Sequence, residues 1–324
     1  MTRPNLTVAL GYYDHVTDLV TGRVPVKGAD INCIQFERPA EIHFRFILYK
    51  DFDVAEMSLG KHASMISQGE SDFVGLPVFT SRVPRHSSIY IRRDGPVRTP
   101  QDLAGKRIGI PEWAQTASIY LRGMLTHQYG VDLASVNWVQ AGRIEKVDLK
   151  LPPGVSVTSA PDKNLSDMLV SGELDAVMSA HPPEAFRARH PNIARLFENF
   201  VELERAYVAQ TGIFPIMHVV AVRRDVLDCN PWLAMNLLQA FEQAKNNSVA
   251  RALQVAASSP VPWAYEHAKA QQELFGKDLW PYGVDPNRKT LDAFLQFAHE
   301  QGVCHTRLSP EDLFARQVQK RFST

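Results

Sequence analysis

The sequence predicts a two-lobed α/β protein, and three observations carry that reading. The chain has 324 residues, about twice the ~150-residue prior for one domain. Short apolar runs alternate with amphipathic stretches along most of its length, as in strands interleaved with helices. Apolar residues make up 45% and charged residues 22%, the balance of a globular enzyme and not of a disordered chain.

The elements follow in order. Residues 6–10 read as a first strand that ends at Gly11 and a polar turn. A strand over 31–36 precedes a helix over 40–49. A strand at 54–57, a helix near 61–68, and strands at 73–76 and 88–91 complete a first block. Residues 96–100, bounded by Pro96 and Pro100, read as a crossing to a second block. There a helix is expected over Thr116–Tyr129, with Thr116 as its N-cap or as a ligand donor. Strands at 136–139 and 176–179 flank a Pro-, Gly- and Lys-containing stretch at 142–163, expected as a surface strand or hairpin, and a helix over Leu165–Ser171. Residues 216–222 read as the strand returning to the first block, and the remainder is helical with a break at 260–262. The expected lobes are therefore 1–95 with 210–324, and 96–209, with crossings near 90–100 and 200–215.

Charge and cysteine usage narrow the function. Basic and acidic residues balance at 35 each, so no electrostatic case arises for nucleic acid or an anionic membrane. Cys33, Cys229 and Cys304 lack CxxC spacing and are odd in number, which argues against a disulfide frame or a zinc site. The chain enters a strand a few residues after Met1 without an apolar leader, so a cytoplasmic location is expected. No apolar run approaches the ~20 residues of a membrane span. Homo-oligomerisation stays open.

Several local patterns point further. DLAGKRIGIP at 102–111 resembles the second-lobe opening of type II periplasmic binding proteins. FDVAEMS at 52–58, PVFTSR at 77–82 with RHSS at 85–88, TGIFPIMH at 211–218, and WPYG at 280–283 with Asn287 and Arg288 are narrower. Together they resemble the 4,5-dihydroxyphthalate decarboxylase family over nearly the whole chain. One departure is His43, where an apolar or basic residue is expected. The resemblance implies a type II periplasmic-binding-protein-like fold with a ligand cleft between the lobes. It also implies removal of one carboxylate from 4,5-dihydroxyphthalate, giving 3,4-dihydroxybenzoate and CO2.

The chemistry can be asked of the residues. Losing a ring carboxylate leaves an electron pair on an sp2 carbon. A para hydroxyl avoids this, because the ipso carbon takes a proton first and the phenol oxygen stabilises the resulting cation. Such a site needs a proton donor near neutral pH, a cationic clamp and an acceptor for the phenol. His15, His181 and His218 fall at expected strand ends and are candidate donors. Glu112 is a candidate acceptor for a catechol hydroxyl. Arg82 and Arg85 are candidate carboxylate clamps. Tyr13, Arg45, Ser58, Ser87, Thr116 and Ser118 are further expected substrate contacts. His62, His127, His190, His267, His299 and His305 are expected to be solvated. No organic cofactor is expected. A divalent metal is the one permitted addition, with His15, Glu112, His181 and His218 as its ligands. Two rival readings remain: a cytoplasmic solute-binding or sensor protein for an aromatic carboxylate, and an enzyme of the same fold acting on another carboxylated ring.

Overall fold

Parallel strands covered on both faces need near-continuous apolar runs, and the first strand supplies one: Leu6, Val8, Ala9 and Leu10 are all buried. The computed structural model describes residues 3–70, 72–141, 147–254 and 260–319. Eleven strands are found among them: β1 (Asn5–Gly11), β2 (Asp30–Phe36), β3 (Val54–Ser58), β4 (Phe73–Arg82), β5 (Ile89–Arg92), β6 (Arg107–Ile110), β7 (Asn137–Ala141), β8 (Val157–Ala160), β9 (Ala176–Met178), β10 (Ile193–Arg195) and β11 (Ile216–Arg223). They form two sheets, ordered β2-β1-β3-β11-β4 and β10-β5-β9-β6-β7-β8. This is the two-lobed α/β architecture.

Each sheet contains a parallel set that changes direction of winding beside one strand. In the first, β1 pairs with β2 on one side and β3 on the other. In the second, β6 pairs with β7 and β9. Crevices at the carboxyl ends of such strands are where open α/β sheets bind ligands. The loops after β1, β3, β6 and β9 are therefore the ones to examine.

Two element expectations change. Strand β5 pairs with β9 and β10 in the second sheet, so the chain crosses between Arg82 and Ile89 and not at 96–100. An apolar run reads alike in either sheet, and only pairing decides its membership. Pro100 instead opens a 3-10 turn closed by a Thr99–Asp102 capping box. Strand β4 also runs through Pro77 to Arg82. It can do so because β4 is an edge strand whose register against β11 shifts on either side of His218, a setting where proline is tolerated. Within 142–163, Val157–Ala160 is a strand, whereas 142–146 lie outside the described residues.

The return to the first sheet runs from β10 through the helix Phe200–Thr211, closed by left-handed Gly212. No helix among the described residues is long and apolar enough to cross a membrane. His62 is buried, with Nε2 2.8 Å from the Leu313 carbonyl, because its helix Leu59–Ser67 packs beneath the C-terminal segment.

Candidate active site

Glu56, inside the apolar run of β3, has no exposed surface. Its carboxylate accepts hydrogen bonds from the Gly11 amide (2.5 Å), the Thr80 hydroxyl (2.8 Å), the Tyr13 hydroxyl (3.0 Å) and His218 Nδ1 (3.1 Å). Burial alone would raise its pKa. The donors, His218 foremost, outweigh that and hold Glu56 below the usual carboxylate range. Burial and the neighbouring Glu56 push the Tyr13 phenol up, so it stays protonated and donates.

His218 lies on β11 opposite Ser58 of β3 and Ser81 of β4, between two register shifts. Such irregularities re-aim a side chain next to a site. Its Nδ1 edge meets the buried carboxylate, while the ring keeps 20% of its surface exposed. The Nε2 edge is thus the accessible one. Edge-on against it sits His43, ring centroids 4.6 Å apart. His43 is buried and its Nε2 has no hydrogen-bond partner. Burial, then His218 and Lys61, pull its pKa well down, so His43 is neutral.

The two lobes meet at the ends of β3 and β6. Thr116, first residue of the helix Thr116–Tyr129, does not cap that helix; its N-cap position is Gln115. The Thr116 hydroxyl instead lies 2.9 Å from Ser58 Oγ and accepts from the Gly60 amide at 2.9 Å. A Cβ on Gly60 would stand 2.5 Å from the Ala114 carbonyl, so this approach requires glycine. Beside it Lys61 pairs with Glu112 at 3.5 Å, their side chains only 9% and 15% exposed. Both line, with His43 and Trp113, a cavity of about 820 Å³ between the helices of the first lobe and the loops after β6 and β7. Burial lowers the Lys61 pKa and raises that of Glu112, each opposed by the other's charge.

The two arginines part company. Both are buried, and desolvation pulls each down to about 10. Arg82 donates to Asn287 Oδ1 and to the Pro281 carbonyl, and packs over Phe79, Phe214 and Trp280. It ties β4 to the segment that carries WPYG. Among the described residues Arg85 donates to the Ala180 carbonyl at 3.4 Å and the Met217 sulfur at 2.8 Å, with Nε unpartnered and Glu204 acting on it through charge alone. It sits next to the residue preceding His218. His181 is exposed beyond β9, its pKa lowered by local desolvation and then by Arg85.

His15 stacks between Tyr13 (5.4 Å) and Trp280 (5.2 Å), and burial pulls its pKa down to about 4. Arg45 is engaged by Asp51 at 2.8 Å on the surface. Ser87 presents its amide to Glu204, and Ser118 is wholly buried, donating to Gln115. The structure joins Tyr13 and His218 through Glu56, joins Ser58 to Thr116 across the lobes, and sets Glu112 on the cavity that His43 also lines. It does not join Arg45, Arg82 or Ser118 to them by any contact among the described residues. Nor does it gather His15, Glu112, His181 and His218 as one ligand set. The group of potential ligands that does converge is His43, Glu56 and His218, their ligand atoms within 4.8 Å. Glu56 already accepts four hydrogen bonds, one from His218, so this donor set fits an oriented acid–base dyad better than a coordination sphere.

Sequence reasoning missed Glu56, Thr80, His43 and Lys61. Two had a signal: Glu56 is an acid in the middle of an apolar strand run, and His43 is the departure from the expected pattern. Lys61 had none.

Residues 78–150 match the family model described as NMT1/THI5 like. A 4,5-dihydroxyphthalate decarboxylase of Comamonas testosteroni is 36% identical over 97% of this chain and 97% of its own length. The chain belongs to the 4,5-dihydroxyphthalate decarboxylase family. A second relative of that name, from Pseudomonas putida, is 40% identical over 61% of this chain and 79% of its own. Among solved structures, the periplasmic aliphatic sulphonate binding protein SsuA of Escherichia coli superposes with a TM-score of 0.56 at 12% identity, covering 98% of this chain and 99% of that one. That likeness establishes the periplasmic-binding-protein-like fold of this decarboxylase relative.

Proposed function

We propose that this chain removes one carboxylate from 4,5-dihydroxyphthalate, giving 3,4-dihydroxybenzoate and CO2, with His218 as the proton donor. Family membership supports the substrate. The observation that carries the donor is the Glu56–His218 pair at 3.1 Å. A buried anion on Nδ1 orients the imidazole and fixes its tautomer, leaving Nε2 to exchange a proton.

In this reading Arg85 holds the carboxylate that is retained, because its guanidinium is buried without an acidic hydrogen-bond partner. His218 Nε2–H protonates the ring carbon bearing the other carboxylate. The electron pair for that bond comes from the ring, pushed by the hydroxyl oxygen para to it. The C–C bond to the carboxylate then breaks, CO2 leaves, and its electrons restore the aromatic ring. One proton is consumed, and solvent recharges His218. Crowding of two adjacent ring carboxylates is relieved as one departs. The para oxygen does the work of an electron sink, so no organic cofactor is called for. Free thiols at Cys33, Cys229 and Cys304 suit a cytoplasmic site of action.

Purified protein incubated with 4,5-dihydroxyphthalate is expected to release CO2 and to place one deuteron on the vacated carbon in deuterium oxide. Ligand binding without CO2 release would make it a binding protein of this fold. Activity appearing only after flavin, nicotinamide or pyridoxal phosphate is added would overturn the mechanism.

A further inference from the structure

Glu112 Oε1 and His43 Nε2 are both buried, have no hydrogen-bond partner, and belong to residues lining the same cavity. Between the lobes Lys61 and Glu112 form a nearly dry ion pair at 3.5 Å. A buried pair of this kind costs desolvation unless its remaining lone pairs and protons are satisfied. Glu112 has a lone pair still to satisfy. The walls beside it are apolar and aromatic, with Phe44, Ile47, Met65 and Trp113 among them. His43, on the cavity wall, packs edge to face with His218 at 4.6 Å between ring centroids, and Arg85 meets Met217, the residue before His218. A flat ring bearing hydroxyls suits apolar and aromatic walls that carry an ion pair with an oxygen still to satisfy.

We propose that Lys61 and Glu112 recognise the paired ring hydroxyls of the substrate and drive its electrons toward the departing carboxylate. The assignment rests on the decarboxylase reading and deepens it. The Glu112 carboxylate takes the proton of the hydroxyl para to the carboxylate that leaves, and the Lys61 ammonium holds the phenolate so formed. That phenolate supplies the electron pair to the ring as His218 protonates the ipso carbon. After CO2 departs, the ring recovers its aromaticity, the oxygen is again a phenolate, and Glu112 returns its proton. The direction in which burial moves Glu112, upward, makes it a better base for a phenol than an ordinary surface carboxylate. Lys61 is thereby a residue for specificity as well as rate, because a ring without hydroxyls leaves the pair unsatisfied.

The test compares calorimetric binding of 4,5-dihydroxyphthalate and of unsubstituted phthalate. Wild-type protein is expected to prefer the dihydroxy ligand by about ten- to hundredfold, the size of a charge-assisted hydrogen bond. The double variant Lys61→Met with Glu112→Gln, which removes both charges of the pair, is expected to bind both ligands alike with phthalate affinity unchanged. Glu112→Gln alone is nearly isosteric and should lose most of the preference, with a thermal melt close to wild type. Preference retained in both variants would place hydroxyl recognition elsewhere, and so would its absence from wild type. CO2 release is scored separately. Wild type releasing CO2 while the variants keep their preference removes this assignment alone, whereas no CO2 from wild type removes the decarboxylase reading.

Discussion

Glu56 and Glu112 are both buried carboxylates beside a nitrogen base, yet the regions around them are finished differently. On the first sheet, Glu56 accepts four hydrogen bonds and sits below the normal carboxylate range. Between the lobes, Glu112 has one ion pair, a partnerless oxygen and a raised pKa. The first is a fixed anion: its protonation would break a network, so it orients and polarises. The second can gain or lose a proton at small structural cost. The hydrogen-bond count separates the two carboxylates where residue type does not.

The strongest way to break this comparison is at the dyad. His218→Ala is expected to lower kcat by about 100- to 10,000-fold while calorimetric binding changes little. Glu56→Gln should move kcat in the same direction, since a neutral amide no longer anchors the Nδ1 edge of His218 with a charged acceptor. The same measurement on His15→Ala and His181→Ala should give kcat near native. Near-native kcat in His218→Ala, with loss in either of the others, would transfer the donor role.

A smaller effect separates the two arginines, three residues apart in sequence. Arg85→Met is expected to raise KM by about ten- to hundredfold, for a lost charge-assisted pair of about 1.5–3 kcal/mol, with a modest change in melting. Arg82→Met should do the reverse. It strands the Asn287 Oδ1 acceptor, worth about 1–3 kcal/mol when left buried and unpaired, while the Pro281 carbonyl keeps Asn287 Nδ2, so the melting temperature falls and KM holds. Equal KM effects in both would join Arg82 to the site.

The mildest effect concerns pH. His15 has a folded pKa of about 4 against an ordinary 6.5, so the unfolded chain takes up its proton first. Stability from this residue is full above about 6.5 and is lost as pH falls toward 4. His43 shifts in the same direction. Urea unfolding between about pH 7 and pH 5 should show a shallower loss for His15→Phe than for wild type. Parallel slopes would mean that His15 is solvated in solution.

The chain's own pattern determined a good deal. Alternating apolar runs fix strand and helix identity because burial on a sheet or a helix face demands that periodicity. The helix Thr116–Tyr129 is bounded in the sequence by its polar head and by Gly130, which takes the left-handed position at its end. The expected elements placed Tyr13, Ser58, Glu112 and His218 at strand ends. Tertiary structure decided the rest. Strand β5 joined the second sheet because pairing is a choice among distant partners that one strand's residues do not encode. Thr116 served the opposite lobe and not its own helix, because the β3 loop came within 2.9 Å. Arg82 and Arg85 look alike as residues, and only the atoms around each guanidinium separate a structural tie from a ligand clamp. Lys61 is unremarkable on a helix until Glu112, some fifty positions away, turns it into half of a buried pair. Hydrogen-bond satisfaction is a property of the assembled interior, and it separates Glu56, which accepts four hydrogen bonds, from Glu112, which keeps a partnerless oxygen.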